Sequence, residues 1–166
     1  KSSDDPLIKQ FKEYLRLATL AATKSDYETA IRYWKNALLW SPSHTELRRL
    51  IDKGYVDWLD SQFIPTAKKR EIRTAQAAWK RLVRGYQLYA DQDYSAALQI
   101  LNEAVFLDPS LIEAYKWIGC IAAIQGKSIK ASEAFIKVIR SEPDFELTGE
   151  IPAKVHQLFN RLKGDK

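Results

Sequence analysis

Residues 78–109 read AWKRLVRGYQLYADQDYSAALQILNEAVFLDP, and residues 112–143 read IEAYKWIGCIAAIQGKSIKASEAFIKVIRSEP. The two stretches match at positions 34 residues apart, which are Gly85 and Gly119, Ala97 and Ala131, Ala104 and Val138, and Pro109 and Pro143. A period of 34 with small residues at fixed offsets and a closing proline is typical of helix–turn–helix repeats that stack on one another. The sequence therefore predicts an all-α fold.

A third stretch upstream carries the same offsets, at Ala18, Ala30, Ala37 and Pro42. Pro42 and Pro109 are 67 residues apart, one short of two periods, so a degenerate repeat is predicted between them. These residues resemble the tetratricopeptide repeat (TPR) family. The resemblance implies a helix–turn–helix solenoid, in one domain over 1–166, with repeats at 11–42, 43–77 (degenerate), 78–109 and 112–143.

The glycines of the repeat have a physical explanation. Gly85 and Gly119 fall in the middle of predicted helices, where glycine costs about 1 kcal/mol relative to alanine. We expect the backbone of a second helix to approach each glycine closely, with Ala97 and Ala131 as its small partners. Bulkier side chains such as Leu101 and Phe135 would then fill the space beside the contact.

Apolar periodicity and capping residues place the individual helices. Asp5-Pro6 is a helix start, and Ser43 and Glu46 are spaced as a capping box. The stretch after Pro65 contains no helix-breaking residue until Gly85, and no proline as far as Ala90. We expect helices at about 6–22, 26–40, 43–59, 65–90, 94–107, 111–125 and 128–141, and a last one at about 152–163 that caps the solenoid.

Composition limits the class of protein. With 46% hydrophobic residues the chain can bury a core, and Cys120 is the only cysteine, so no internal disulfide forms. No apolar run reaches the length of a membrane span. The sequence starts at Lys1 and contains no Met, so we expect a cytoplasmic or periplasmic part of a larger or processed protein.

The TPR resemblance also implies a binding site. In that family the first helix of each repeat lines a concave groove that holds a peptide or protein segment. We expect Tyr89, Lys116 and Trp117 to be its most exposed members. Carried onto this sequence, the groove consists of Trp79, Leu82, Tyr86, Tyr89, Lys116, Trp117 and Cys120.

A second candidate surface is basic. Between Thr66 and Arg84 the chain has seven basic residues and one acidic residue, Glu71. Four of the basic residues are spaced by four, seven and four positions, which places them along one face of a helix. This basic strip consists of Lys69, Arg73, Lys80 and Arg84, and it either attracts an acidic partner or is a solvated face neutralised by acids of a neighbouring helix.

The residues that catalysis needs are missing from the pattern. Cys120 has no histidine near it in sequence, and one cysteine with two histidines makes a poor zinc site. We therefore expect no catalytic residues, metal, cofactor or small-molecule substrate. The predicted function is a non-enzymatic scaffold or adaptor that binds a protein segment and helps to assemble a larger complex, which fold-level analogy places in a bacterial envelope machine.

Two alternatives stay open at the level of sequence. The basic helix over 68–84 could contact a polyanion, either nucleic acid or anionic lipid, although a net charge of +5 makes nucleic acid the weaker choice. The chain could also associate with itself as a homo-oligomer, because the open ends of solenoids are often apolar.

Overall fold

A computed structural model describes residues 5–61, 63–148 and 151–164. In these ranges the chain is all-α, which confirms the predicted class of TPR-like helix–turn–helix repeats. No helix in the described ranges is both long and apolar enough to cross a membrane. The helices are α1 (Pro6–Thr23), α2 (Tyr27–Trp40), α3 (Thr45–Asp60), α4 (Thr66–Ala90), α5 (Tyr94–Leu107), α6 (Ile112–Ile124), α7 (Ser128–Ser141) and α8 (Ala153–Leu162).

The chain divides into two compact units, Lys1–Arg73 and Thr74–Lys166. The first contains α1, α2 and α3, with α2 packed against the other two helices. The second contains α5 to α8, and α6 packs against α5, α7 and α8. Helix α4 begins in the first unit and ends in the second. The prediction of one domain with the repeat limits given above stays a prediction.

The small residues of the repeat are all buried, as its period requires. In each copy they have essentially no solvent exposure, although they come from stretches that differ in most other positions. The second helix of each copy is 14 residues long in all three cases, namely α2, α5 and α7. The buried positions are Ala18, Ala30 and Ala37, then Gly85, Ala97 and Ala104, and finally Gly119, Ala131 and Val138.

The two repeat glycines lie against side chains rather than against a second backbone, which corrects the expectation from sequence. A Cβ atom added to Gly119 would lie 2.5 Å from Cε1 of Phe135, and one added to Gly85 would lie 2.6 Å from Cδ2 of Leu101. Each partner follows its glycine by 16 residues. The feature that the two copies share is therefore a bulky side chain seated on a glycine.

The turn inside each repeat has one geometry. Ser25, Gln92 and Gly126 have φ values of 57°, 64° and 77°, and they occupy equivalent positions. The N–H group that follows each of them donates back to a carbonyl five residues earlier, in the pattern of a Schellman cap. These bonds join Asp26 to Ala21, Asp93 to Leu88 and Lys127 to Ala122, at 3.0, 2.9 and 2.8 Å.

The capping box predicted at the start of α3 is wrong. The helix begins at Thr45 and its cap is His44, whose Nδ1 accepts from the N–H of Leu47 at 3.3 Å. The carboxylate of Glu46 is turned outward to Arg49, 2.5 Å away. Because His44 and not the preceding serine is the cap, the third helical residue is Leu47, and Glu46 does not stand where a capping box needs its acid.

Candidate interaction surfaces

Five of the seven predicted groove residues are buried inside the second unit. Trp79 and Leu82 of α4 are 1% and 2% exposed, and Lys116, Trp117 and Cys120 of α6 are 3% or less. The expected exposure of Lys116 and Trp117 is therefore wrong. The cause is the position of α6, which is covered by α5, α7 and α8 and is buried over almost its whole length. Whether these residues contact a partner stays a prediction.

Tyr86 and Tyr89 are the two groove residues that keep part of their side chains at the surface. Both rings pack on the buried Trp117, with centroids 4.9 and 4.8 Å apart. The indole N–H of Trp117 donates to Oε2 of Glu113 at 3.2 Å. Partial burial raises the pKa of Tyr89 well above its ordinary value. This cluster therefore joins α4 to α6, and only the outer edges of the two tyrosines remain for a partner.

Lys116 is an internal charge. Its Nζ lies 4.1 Å from the ring centroid of Trp117 and 5.7 Å from that of Phe145, both close enough for cation–π contact. Burial lowers the pKa of Lys116, while Glu113 and Cys120 act in the opposite direction. The Lys116 side chain therefore lies in the interior, where its contact with Phe145 connects α6 to the segment after α7.

Cys120 lies in the same interior. Its side chain is fully buried, and this burial raises the pKa of the thiol to about 12, despite the nearby Lys116. A thiol with such a pKa is almost entirely protonated at neutral pH and is a poor nucleophile or metal ligand. Among the described residues, no group of three His, Cys, Asp or Glu side chains is placed to hold a metal ion.

The basic strip is at the surface. Arg73, Lys80 and Arg84 are exposed and Lys69 is half-buried. By helical geometry Lys69 and Arg73 lie within about 40° of one another around α4, and so do Lys80 and Arg84. None of them forms an ion pair within the described ranges of the chain. Lys69 and Arg73 belong to the first unit, and Lys80 and Arg84 to the second.

Two basic neighbours outside the strip behave differently. The Nζ of Lys68 lies 3.6 Å from Oε1 of Glu28 and 3.5 Å from Oε2 of Glu71. The Nε of Arg81 lies 3.5 Å from Oε1 of Glu103 on α5. Acidic side chains therefore pair with Lys68 and Arg81, which lie beside the strip. The four strip residues have no such ion pair in the described part of the chain.

A third surface, which the sequence did not reveal, surrounds Phe106. This residue is 86% exposed and borders an open depression of about 350 Å³ between α4 and α5 in the second unit. A signal was present in the sequence, because Phe106 follows the buried Ala97 by nine residues and so points away from it on a helix. The lining residues are Arg81, Gln99, Asn102, Glu103, Phe106 and Leu107.

Comparison with known proteins gives a remote likeness. No protein-family model and no curated protein matches the sequence. Crystal structures of the protein MamA resemble the chain. One is 23% identical over 94% of this chain and 84% of its own, with a TM-score of 0.44, and another is 23% identical over 89% and 83%, also with a TM-score of 0.44.

Proposed function

We propose that this chain is a non-enzymatic protein-interaction module that binds acidic segments of another protein through α4, at Lys69 and Arg73 in the first unit and at Lys80 and Arg84 in the second. The observation that carries the proposal is the absence of an ion pair for Lys69, Arg73, Lys80 and Arg84 within the described residues, beside neighbours that are paired. By holding such a segment the module would help to assemble a larger complex.

The arrangement of the cations supports an extended acidic ligand. Lys69 and Arg73 are one helical turn apart, as are Lys80 and Arg84, which separates the members of each pair by about 6 Å along α4. Carboxylates spaced by two residues of an extended peptide lie about 7 Å apart, so each pair suits two of them. Such contacts speed and orient the encounter more than they hold the complex.

The modest strength of exposed ion pairs sets a limit. Each is worth about 1 kcal/mol or less, so tight binding needs apolar contact in addition. The accessible edges of Tyr86 and Tyr89 are the part of the predicted groove that could give it. They lie on the other side of α4 from the strip, and we treat them as a separate surface with its own test.

The experiment uses a fluorescein-labelled peptide of alternating Glu and Ala, with Gln in place of Glu as the uncharged control. Binding is measured by anisotropy for the wild type, Lys69→Glu/Arg73→Glu and Lys80→Glu/Arg84→Glu. The matched control is Lys127→Glu/Lys130→Glu, two exposed cations elsewhere in the second unit. We expect each strip variant to weaken binding about tenfold, which is about 1.4 kcal/mol, and the control to change it little.

A pull-down from the native extract with mass spectrometry then identifies the partner, with Tyr86→Ala/Tyr89→Ala as a further variant. A protein lost with the strip variants supports the proposal, and one lost only with the tyrosine variant moves the site to the groove. If nucleic acid or anionic lipid is recovered instead, and binding falls steeply as salt increases, the partner of the strip is a polyanion and not a protein. Equal loss with the Lys127→Glu/Lys130→Glu control would overturn the proposal.

A further inference from the structure

The surface around Phe106 differs in kind from the basic strip. It lies in the second unit, on the face of α5 opposite the buried Ala97, Leu101 and Ala104. Its centre is an apolar ring that is 86% exposed and lines an open depression of about 350 Å³. A single exposed apolar residue is ordinary on a protein surface, but of the two large ones in the described part of the second unit, Phe106 and Ile129, only Phe106 lines this depression.

The rim of this surface carries both signs of charge. Arg81 and Glu103 face each other at 3.5 Å, and their side chains are 38% and 52% exposed. The remaining polar members are Gln99 and Asn102, whose amides both donate and accept hydrogen bonds. The patch therefore contains a partner for each of its own polar groups.

This composition meets the condition for contact between identical chains. In a two-fold dimer the same patch faces itself, so every group must find its complement on the same surface. Phe106 and the adjacent depression are a projection and a recess on one patch, and Arg81 and Glu103 are opposite charges on one patch. The basic strip cannot do this, because its like charges repel those of a second copy.

We propose that the Phe106 patch is a self-association surface, through which two copies of this chain form a two-fold dimer. The ring of Phe106 enters the depression of the other copy, and Arg81 of each copy faces Glu103 of the other. This inference is independent of the proposed acidic partner, since the strip residues take no part in it.

The predicted dimer is weak. One aromatic side chain per copy with a small rim buries less surface than a stable dimer requires. We expect association only at high protein concentration, which sedimentation velocity over a wide range of concentrations can follow.

The first test compares Phe106→Glu with Ile129→Glu. Ile129 on α7 is also exposed, at 77%, and lies outside the patch. We expect the sedimentation coefficient to rise with concentration for the wild type and Ile129→Glu, and to stay at the monomer value for Phe106→Glu. All variants must first show wild-type helicity and melting.

The second test uses charge exchange. Arg81→Glu and Glu103→Arg each give a patch of one sign, so each variant alone is expected to be monomeric, while an equimolar mixture forms a heterodimer. Loss of the in-chain ion pair costs little because both side chains are partly exposed. A wild type that remains monomeric throughout, or a mixture that does not associate, overturns the proposal. So does capture of a different protein by the patch of a monomeric wild type.

Discussion

Residues 78–143 and residues 43–77 differ at the junctions between their helices. In the first region Pro109 and Pro143 follow the ends of α5 and α7, and each helix stops. In the second region the positions one period before Pro109 and one period after Pro42 are Ala75 and Gln76, and α4 runs through both without a break.

This difference shows how little separates a repeat boundary from a continuous helix. Ala and Gln favour helix, whereas proline cannot donate the backbone hydrogen bond and clashes with the preceding turn. The helical period on both sides is otherwise similar. Without a proline at this junction, Ala75 and Gln76 do not oppose the continuous helix α4, which runs through both positions.

The largest effect is expected for Gln76→Pro, which places a proline in the interior of α4 and so tests whether the helix is continuous there. We expect it to lower the free energy of unfolding by more than about 3 kcal/mol, because the N–H of residue 76 is lost and the ring meets the carbonyl of Ile72. Urea unfolding followed by circular dichroism measures the change.

The matched reverse change is Pro109→Gln. Pro109 follows Asp108, the C-cap of α5, and so lies outside the helix; its removal costs about 0.5 kcal/mol through the unfolded chain alone. If Gln76→Pro were as mild as Pro109→Gln, α4 would not be one helix at this point.

The next largest effect concerns buried charge, which in the described part of the chain is confined to Glu113 and Lys116 in the last repeat. We expect Lys116→Met to destabilise the protein by about 3 kcal/mol, because the Glu113 carboxylate remains buried without its neighbouring cation. The double variant Glu113→Gln/Lys116→Met should recover most of this loss. The amide oxygen that it places at position 113 can still accept from the indole of Trp117.

The pH dependence of stability provides an independent check on this pair. Burial lowers the pKa of Lys116 below its ordinary value of 10.5. The pKa of Lys116 is lower in the folded chain than in the unfolded chain. At a pH between these two pKa values the unfolded chain binds a proton that the folded chain has released, so wild-type stability rises with pH in that interval. The difference between the wild type and the double variant should show this rise and level off above pH 10.5. A difference that is flat with pH would contradict it.

The repeat glycines give a smaller effect, of about 2 kcal/mol. Gly119→Ala should destabilise the protein although alanine favours helix, because the new methyl group would lie 2.5 Å from the fully buried ring of Phe135. Gly54 of the degenerate stretch is the comparison, since its nearest neighbour is Cγ1 of Ile31 at 3.0 Å. We expect Gly54→Ala to cost less than about 1 kcal/mol.

A second-site variant separates overpacking from other causes. Replacing Phe135 by Leu in the Gly119→Ala background makes room for the methyl group, and we expect part of the lost stability to return. If Phe135→Leu and Gly119→Ala simply add, the contact between them is not the cause.

Most of the fold could be predicted because the period of 34 fixes where helices stop. The limits of α5 and α7 agree with those expected, and other helix ends differ by one or two residues. The turns at Ser25 and Gln92 could not be recognised, since only Gly126 among the three has the residue type that left-handed backbone favours. The repeat register predicts which face of α6 would line a groove. It does not predict which helices cover the opposite face of α6.

The candidate surfaces also include features that the sequence predicts and features that it does not. The basic strip lies at the surface because charged residues at helical spacing on α4 are costly to bury, and its role in binding stays a prediction. The exposure of Lys116 and Trp117 could not be judged from sequence, because α8, far along the chain, helps to enclose α6. Phe106 was missed because a large apolar side chain is normally assigned to the core, although Gln99, Asn102 and Glu103 share its face of α5.

The smallest predicted effect tests the turns. Ser25, Gln92 and Gly126 share one left-handed conformation, and only glycine adopts it without a steric penalty. We therefore expect Gln92→Gly to stabilise the protein by about 0.5 to 1 kcal/mol, and Gly126→Ala to destabilise it by about 1 kcal/mol. Apart from its chain neighbours, no heavy atom lies within 4 Å of a Cβ added at Gly126, so any loss there comes from the backbone rather than from packing. Phe63, with φ of 67° in the degenerate stretch, should respond to glycine as Gln92 does if its conformation is equally fixed. Thermal melting of the three variants measures these shifts, and a Gln92→Gly variant that melts below the wild type would show that the turn gains more from the glutamine side chain than it loses to backbone strain.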